Sequence, residues 1–177
     1  ELTFSSDGTK AYVANGDDDS ITVINASTKA IFTTIAVGDN PVGAWTGSNN
    51  KMYVDNEDGQ TISVIDVATN SVDETITLGF MPGIASYNGP KNELWVSDPM
   101  NGKVHYWTWD AGMNMWMHGN SFNTGAGAHA IAFSTDGNTA YVTNQTANTV
   151  SVVNTTNHTV TKTINVGQKP NGIVIKM

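Results

Sequence analysis

The chain has 177 residues, a formal net charge of −8 and no cysteine. Its length and its hydrophobic fraction of 39% suit one globular domain with its own core. Only 8 lysine and arginine residues stand against 16 acidic residues, which argues against nucleic acid as a partner, since such binding rests on clustered cations. The lack of cysteine excludes disulfides, thiol nucleophiles and cysteine zinc sites. No segment approaches the roughly 20 apolar residues of a membrane helix, so no membrane insertion is expected.

Four segments of the chain are versions of one sequence unit. In chain order they read AYVANGDDDSITVIN, MYVDNEDGQTISVID, LWVSDPMNGKVHYWT and AYVTNQTANTVSVVN. Their aromatic anchors, separated by 41, 42 and 46 residues, are Tyr12, Tyr53, Trp95 and Tyr141. Short runs of Val, Ile, Thr and Tyr alternate with Asn, Asp and Gly, which is the pattern of strands and turns. Four antiparallel strands at this period predict an all-β protein built from the blades of a β-propeller.

The repeat also predicts how the chain is divided. A single β-propeller over 1–177 would have blade repeats at about 1–40, 41–81, 82–127 and 128–169, with 170–177 beginning or closing a further blade. About four blades and one extra strand leave three arrangements open: a piece of a longer propeller, a closed ring of four blades, or a partial ring completed by another copy. An open arc would leave apolar faces and strand edges bare, so we expect a protein partner or self-association.

Several motifs resemble a known family. The residues YVTN at 141–144, SxDG at 5–8 and 134–137, and VGxxPxG at 37–43 and 166–172 resemble the YVTN-type propeller repeats of bacterial and archaeal extracytoplasmic and surface-layer proteins. The resemblance implies a propeller of about seven blades and a periplasmic, secreted or cell-surface location. Members of that family serve as scaffolds, binding modules and subunits of redox enzymes, so the resemblance does not choose among these functions.

The third repeat departs from the others through an unusual stretch, KVHYWTWDAGMNMWMH at 103–118. Counting from the anchors places His105 where the other repeats have Thr22, Ser63 and Ser151. Counting back from the glycine between repeats places His118 where they have Ile31, Val72 and Val160. The two counts predict a hairpin four residues longer than its counterparts, with two extra residues on each strand. A turn at 110–113 would pair His105 with His118, Trp107 with Trp116, and Tyr106 with Met117.

One hypothesis for this hairpin is a copper site. The candidate metal ligands are His105, His118, Met113, Met115 and Met117. Two imidazoles on paired strands can share one ion, and thioethers with imidazole suit Cu(I). The segment MNMWMH also resembles the Met, His and Trp sets of periplasmic copper chaperones, although those have another fold. Strand alternation opposes the hypothesis, because it places the histidines and the methionines on opposite faces.

The alternative hypothesis is that the hairpin packs against neighbours or forms an interaction surface. Its candidate ligand or interface residues are Trp107, Trp109 and Trp116. His129 joins them because it begins an inner strand, where a propeller opens to its central channel. His158 lies in a turn, and we expect it to be solvated.

No catalytic motif occurs in the sequence, so an enzyme is the weaker hypothesis. The sequence best predicts a noncatalytic extracytoplasmic β-propeller that acts as a binding or assembly module, with the third-repeat hairpin as its special surface. Two alternatives stay open. One is a copper-binding protein, with copper as its cofactor, and the other is a subunit of a larger redox enzyme.

Overall fold

The computed structural model describes residues 1–175, which form sixteen β-strands and two 3-10 helices of three residues each. The strands of the first and second blades are β1 (Leu2–Phe4), β2 (Lys10–Asn15), β3 (Ser20–Asn25), β4 (Ile31–Ala36), β5 (Pro41–Thr46), β6 (Lys51–Asn56), β7 (Thr61–Asp66) and β8 (Ser71–Thr77). Those of the third and fourth blades are β9 (Ala85–Asn88), β10 (Glu93–Asp98), β11 (Lys103–Asp110), β12 (Met115–Asn123), β13 (Ala128–Phe133), β14 (Thr139–Asn144), β15 (Thr149–Asn154) and β16 (Thr159–Asn165). Each blade is one four-stranded antiparallel sheet whose strand order follows the chain. The predicted all-β fold with four-stranded propeller blades is confirmed.

The outer hairpin of every blade turns in the same way. In the first blade, the Asn25 side-chain oxygen accepts hydrogen bonds from the backbone N–H groups of Ser27 and Thr28, and Lys29 takes a left-handed conformation at φ 62°. The third blade repeats this with Asp110 as the acceptor and Asn114 at φ 54°. An Asp or Asn side chain stabilises such a turn by replacing a backbone acceptor. The turn therefore occupies the four residues after the Asp or Asn.

Each outer hairpin also contains a β-bulge. In the first blade Val23 pairs with Thr33, but Ile24 pairs with Ile31, so Phe32 is the extra residue. The same register shift occurs in the other three blades. A bulge sets two residues of one strand against one residue of its partner. A register counted without a bulge is therefore wrong for every strand pair beyond it.

Contacts within the chain divide it into two compact units, Glu1–Tyr87 and the part from Asn88 onwards. In the first unit, apolar side chains of two blades form one cluster, with Tyr12, Ile21, Val23 and Ile35 on the first blade and Ala44, Met52, Val54 and Ile65 on the second. The second unit has its own cluster, with Trp95 and Val104 on the third blade and Ala128, Ile131, Ala140, Val142 and Val153 on the fourth. Packing of one blade face on the next therefore supplies the core of each unit.

After β16 no strand forms over residues 166–175, and residues 176 and 177, which the prediction assigned to a further blade, lie outside the described residues. Within residues 1–175 no helix combines the length and the apolar character needed to cross a membrane.

Candidate functional site

The third-blade hairpin, formed by β11, β12 and the turn at 111–114, has the predicted extension. Four residue pairs lie between its bulge and its turn, with residues 107–110 opposite 115–118. The second blade has two pairs at this place, Ile65 with Val72 and Asp66 with Ser71. Each strand of the third-blade hairpin is therefore two residues longer than its counterpart.

The predicted pairing of His105 with His118 is wrong. His105 pairs with Ser121, and His118 pairs with Trp107. Gly119 is the extra residue of the bulge, and the turn lies one residue later than predicted because Asp110 caps it. The same two causes overturn the other predicted pairs, since Trp109 lies opposite Trp116, and Tyr106 lies opposite Asn120.

The two imidazoles are nevertheless close neighbours. Nδ1 of His105 lies 3.5 Å from Nε2 of His118, and the ring centroids are 5.7 Å apart. The Trp107 ring lies beside both, at 5.0 Å from His118 and 6.2 Å from His105. His118 pairs with Trp107, which lies two residues from His105 on β11, so His118 shares a face with His105 from a diagonal position.

His105 also has a carboxylate behind it. Oδ2 of Asp98 lies 3.5 Å from Nε2 of His105, longer than an ordinary hydrogen bond, and the Asp98 side chain is only 3% exposed. Burial lowers the pKa of His105, and the carboxylate of Asp98 opposes that shift. The net shift favours the neutral imidazole of His105. Its ring has one nitrogen towards Asp98 and the other towards His118.

The pair formed by Asp98 and His105 replaces a different polar pair found in the other blades. In the fourth blade the side-chain amide of Asn144 donates to the hydroxyls of Thr149 and Ser151, each at 3.0 Å. In the second blade Asn56 makes the same two bonds to Thr61 and Ser63. The third blade therefore exchanges a neutral amide and a hydroxyl for a carboxylate and an imidazole at equivalent positions.

Asp98 is held in place by more than His105. Its carboxylate accepts hydrogen bonds from the backbone N–H of Asn101 at 3.1 Å and from the Asn101 side-chain amide at 2.8 Å. These bonds fix the carboxylate in the turn between β10 and β11. The orientation of the buried Asp98 side chain is thus set by residues of the chain itself.

The methionines do not join the histidines. Regular alternation along β12 places Met115 and Met117 on the face opposite Trp116 and His118, and both are exposed, by 41% and 37%. Met113 lies in the turn and is 57% exposed. Within residues 1–175 no three His, Asp or Glu side chains are grouped to hold a metal ion. The hairpin therefore offers two imidazole nitrogens on one face and separate thioethers on the other.

The tryptophans of the hairpin pack against other side chains of the chain. Trp107 and Trp116 are only 4% and 5% exposed. Trp109 meets the Trp116 ring edge to face at 5.5 Å. As candidate interface residues Trp107 and Trp116 are therefore buried, and the exposed apolar side chains of the hairpin are the methionines.

The two remaining histidines lie elsewhere. His129 is the second residue of β13, and its Nδ1 lies 3.2 Å from the backbone carbonyl of Asn171. His158 is not solvated as predicted, because its ring stacks on Tyr106 with centroids 3.7 Å apart and its Nε2 lies 3.2 Å from Glu93 Oε2.

Sequence reasoning missed Asp98 as the partner of His105. The signal was in the aligned repeats, where YVAN, YVDN and YVTN end in Asn but WVSD ends in Asp98. The same repeat is the one that replaces Thr or Ser with His105. Both substitutions occur in the same repeat, at positions that lie close together on paired strands. Such a pair of substitutions is a stronger indication of a site than one unusual residue is.

A second buried acid, Asp55, serves the fold. The Trp45 indole N–H donates to its Oδ1, and burial raises the pKa of Asp55 well above its usual value. Its counterpart in the fourth blade, Thr143, accepts a hydrogen bond at 2.9 Å from the backbone N–H of Ala130 on the inner strand. Both side chains bond to the inner strand near its bulge, so this position links the second strand of each of these two blades to the inner strand.

Comparison with known proteins supports the fold. No family model and no curated protein sequence matches this chain. Among solved structures, it is similar to hydrazine synthase of Kuenenia stuttgartiensis, with a TM-score of 0.81 and 20% identity over 92% of this chain and 47% of that one. A functionally unknown protein of Desulfotomaculum acetoxidans gives a TM-score of 0.88 and 16% identity over 99% of this chain and 59% of that one.

A third similar structure is a putative 6-phosphogluconolactonase of Bacteroides uniformis, with a TM-score of 0.77 and 14% identity over 93% of this chain and 56% of that one. At these identities the likeness shows the fold alone. This chain spans about half the length of the solved structures that it matches.

Proposed function

We propose that this chain is a noncatalytic, extracytoplasmic β-propeller module of the YVTN type whose role is binding and assembly. The observation that supports the proposal is an apolar face on the fourth blade whose side chains are partly exposed. The extracytoplasmic location is supported by the YVTN motif and by the SxDG and VGxxPxG motifs, which each occur twice.

The bare face is revealed by equivalent residues in the first and fourth blades. Tyr12 and Val23 pair across the first blade and are fully buried at 0% exposure. Their counterparts Tyr141 and Val152 pair in the same way but are partly exposed. A third pair of equivalent residues shows the same difference in burial, since Ile35 is 7% exposed, whereas its counterpart Ile164 is 38% exposed. The same three side-chain types are therefore buried in the first blade and partly exposed in the fourth blade.

We propose a second copy of this chain as the occupant of that face. The face of the first blade opposite Tyr12 carries three exposed apolar side chains, Leu2, Phe4 and Ile31, which are exposed by 50%, 51% and 70%. In the first unit, the first-blade face that corresponds to the exposed fourth-blade face packs against the second blade. The second-blade face in this contact corresponds to the exposed face of the first blade. A fourth-blade face of one copy and a first-blade face of another can therefore pack in the same way. Two copies joined head to tail would also have about the length of the propellers that this chain matches. Burying apolar surface would drive the association.

The test is the mass of the purified chain in solution, measured by sedimentation at low and high micromolar concentration. We expect dimers at high concentration, and Ile164→Lys should shift them towards monomers. Thr163→Lys is the matched control, because Thr163 lies on the opposite face of the same strand and is also exposed.

Leu2→Lys should weaken the dimer as Ile164→Lys does, since a head-to-tail contact uses both surfaces. A wild-type chain that stays monomeric throughout overturns the proposal. So does a dimer that Ile164→Lys weakens and Leu2→Lys leaves intact.

Copper binding is a second candidate function, favoured by the 3.5 Å separation of His105 Nδ1 and His118 Nε2. Because Met113, Met115 and Met117 lie apart from this pair, the imidazoles would carry the binding. Copper titration of the wild-type chain and the His118→Ala variant tests it, and equal uptake by the two proteins would overturn it.

A further inference from the structure

We propose that His105 and His118 chelate one transition-metal ion through Nδ1 and Nε2 respectively, and that Asp98 is the positioning residue that fixes the tautomer of His105. The ion would be copper(I) or zinc(II), which accept imidazole nitrogen in trigonal or tetrahedral arrangements. This inference deepens the copper candidate and is independent of the assembly role.

The distance between the nitrogens supports a shared ion. A separation of 3.5 Å is long for a hydrogen bond between two imidazoles. Metal–nitrogen bonds of about 2.0–2.1 Å would place an ion between these atoms at an angle of roughly 113–122°. That range includes the trigonal value and approaches the tetrahedral one, whereas a square-planar ion would need the nitrogens closer together or farther apart.

Asp98 selects the nitrogen that binds. At 3.5 Å the Asp98 carboxylate lies beyond ordinary hydrogen-bond length from Nε2 of His105, so it favours a proton on Nε2 through electrostatic attraction, and that tautomer presents the Nδ1 lone pair towards His118. A carboxylate behind a ligating histidine orients the ring and makes it a better electron donor. Two hydrogen bonds from Asn101 already hold this carboxylate, so the orientation exists without the ion.

The site is open on one side. His118 is exposed, whereas the side chains of His105 and Asp98 are only 18% and 3% exposed. An ion can therefore reach the nitrogens from the His118 side, and water or another ligand would complete its coordination. With two protein ligands the site would bind more weakly than a structural zinc site, which has four.

The other blades show that packing alone does not need these residues. At the equivalent positions the second and fourth blades use Asn56 with Ser63 and Asn144 with Ser151, joined by hydrogen bonds of 3.0 Å. The same backbone is thus satisfied by neutral groups. A buried carboxylate with an imidazole is the more costly choice for folding, which favours a ligand as its reason.

The repeats also supply a matched control. The double variant Asp98→Asn with His105→Ser recreates the pair of the second and fourth blades. It should fold with near wild-type stability and bind no metal. His129→Gln controls for binding at an unrelated histidine and should leave the affinity unchanged.

The experiment uses two metals and one spectroscopic probe. Zinc(II) binding is measured by calorimetry, and copper(I) binding by competition with a chromogenic chelator under anaerobic conditions. Long-range nitrogen NMR spectra of the imidazoles then report which nitrogen binds. We expect one ion per chain, metal-induced shifts at Nδ1 of His105 and Nε2 of His118, and loss of binding in His118→Ala and in the double variant.

Asp98→Asn alone should weaken binding by about 10- to 100-fold and allow both tautomers of His105 in the metal-free spectrum. Wild-type affinity with an unchanged spectrum would overturn the role of Asp98 and leave the copper candidate standing. Zinc binding without copper binding would overturn the copper candidate and support the site. No binding of either ion, or loss of binding in His129→Gln, would overturn the site itself.

Discussion

The third and fourth blades have the same backbone plan but use one pair of positions differently. In the fourth blade Asn144 and Ser151 are buried and joined by a hydrogen bond of 3.0 Å. In the third blade Asp98 and His105 face each other at 3.5 Å, and His105 continues to His118 at the same distance. The repeat supplies the backbone geometry, and the substitutions replace an amide and a hydroxyl with a carboxylate and an imidazole. Two substitutions in one repeat thus change the chemistry of a position whose backbone is shared by all four blades.

The largest expected effect concerns the two aromatic anchors of this pair of blades. Trp95→Ala should lower the free energy of unfolding by about 3–5 kcal/mol, because Trp95 is fully buried and its removal leaves a cavity. Tyr141→Ala should cost much less, because its ring is partly exposed. Chemical denaturation at low protein concentration measures both losses. Equal losses would contradict the bare face proposed for the fourth blade.

The blade architecture could be predicted from the sequence, and the register of the third-blade hairpin could not. The aromatic anchors and the Asn, Asp and Gly turns are local signals that recur four times, so the strands follow from them. Both counts also placed His105 and His118 at the correct repeat positions. The bulge at Gly119 has no comparable signal, since its counterparts in the other blades include Phe32 and Thr161.

The candidate site was accordingly predicted in part. The separation of the methionines from the histidines follows from the two-residue period of a strand, which does not depend on the register. The contact of His105 with Asp98 depends on side-chain reach across β10 and β11. Comparison of the four repeats marks both residues as exceptions, but only the structure brings them together.

The bulge offers the next way to test the comparison. In the third blade a Cβ atom on Gly119 would lie 2.3 Å from Cε2 of Tyr106, whose ring stacks on His158. Gly119→Ala should therefore displace the Tyr106 ring and cost about 1–3 kcal/mol. Thr161→Ala at the fourth-blade bulge is the control and should stay within about 0.5 kcal/mol of wild type. A shift of the Tyr106 and His158 ring resonances would accompany the loss, and a neutral Gly119→Ala would show that the ring moves freely.

The third prediction compares two equivalent buried polar residues, Asn144 of the fourth blade and Asp98 of the third blade. Asn144→Ala should cost about 1–3 kcal/mol, because it leaves the hydroxyls of Thr149 and Ser151 without their shared donor. Asp98→Asn should cost less, since it places in the third blade the side chain that the other blades carry. Thermal and chemical unfolding of both variants without metal provide the measurement. A larger loss for Asp98→Asn would mean that the carboxylate stabilises the fold, and the argument that it serves a ligand would fail.

The smallest expected effect is a difference in acid sensitivity between the inner turns of the same two blades. In the fourth blade Asp136 accepts hydrogen bonds from the Ser134 hydroxyl at 2.6 Å and from the Asn138 N–H at 3.0 Å, which lower the pKa of Asp136 to about 2. The third blade has Gly89–Lys91 at this turn and no acid.

A carboxyl whose pKa is lower in the folded state contributes stability above its unfolded pKa and loses that contribution as pH falls towards the folded value. Stability should therefore decline between about pH 4 and pH 2, and Asp136→Asn should flatten the decline slightly. Unfolding measured across this range checks the slope, with Asp39→Asn, an exposed acid of another loop, as the control that should leave it unchanged.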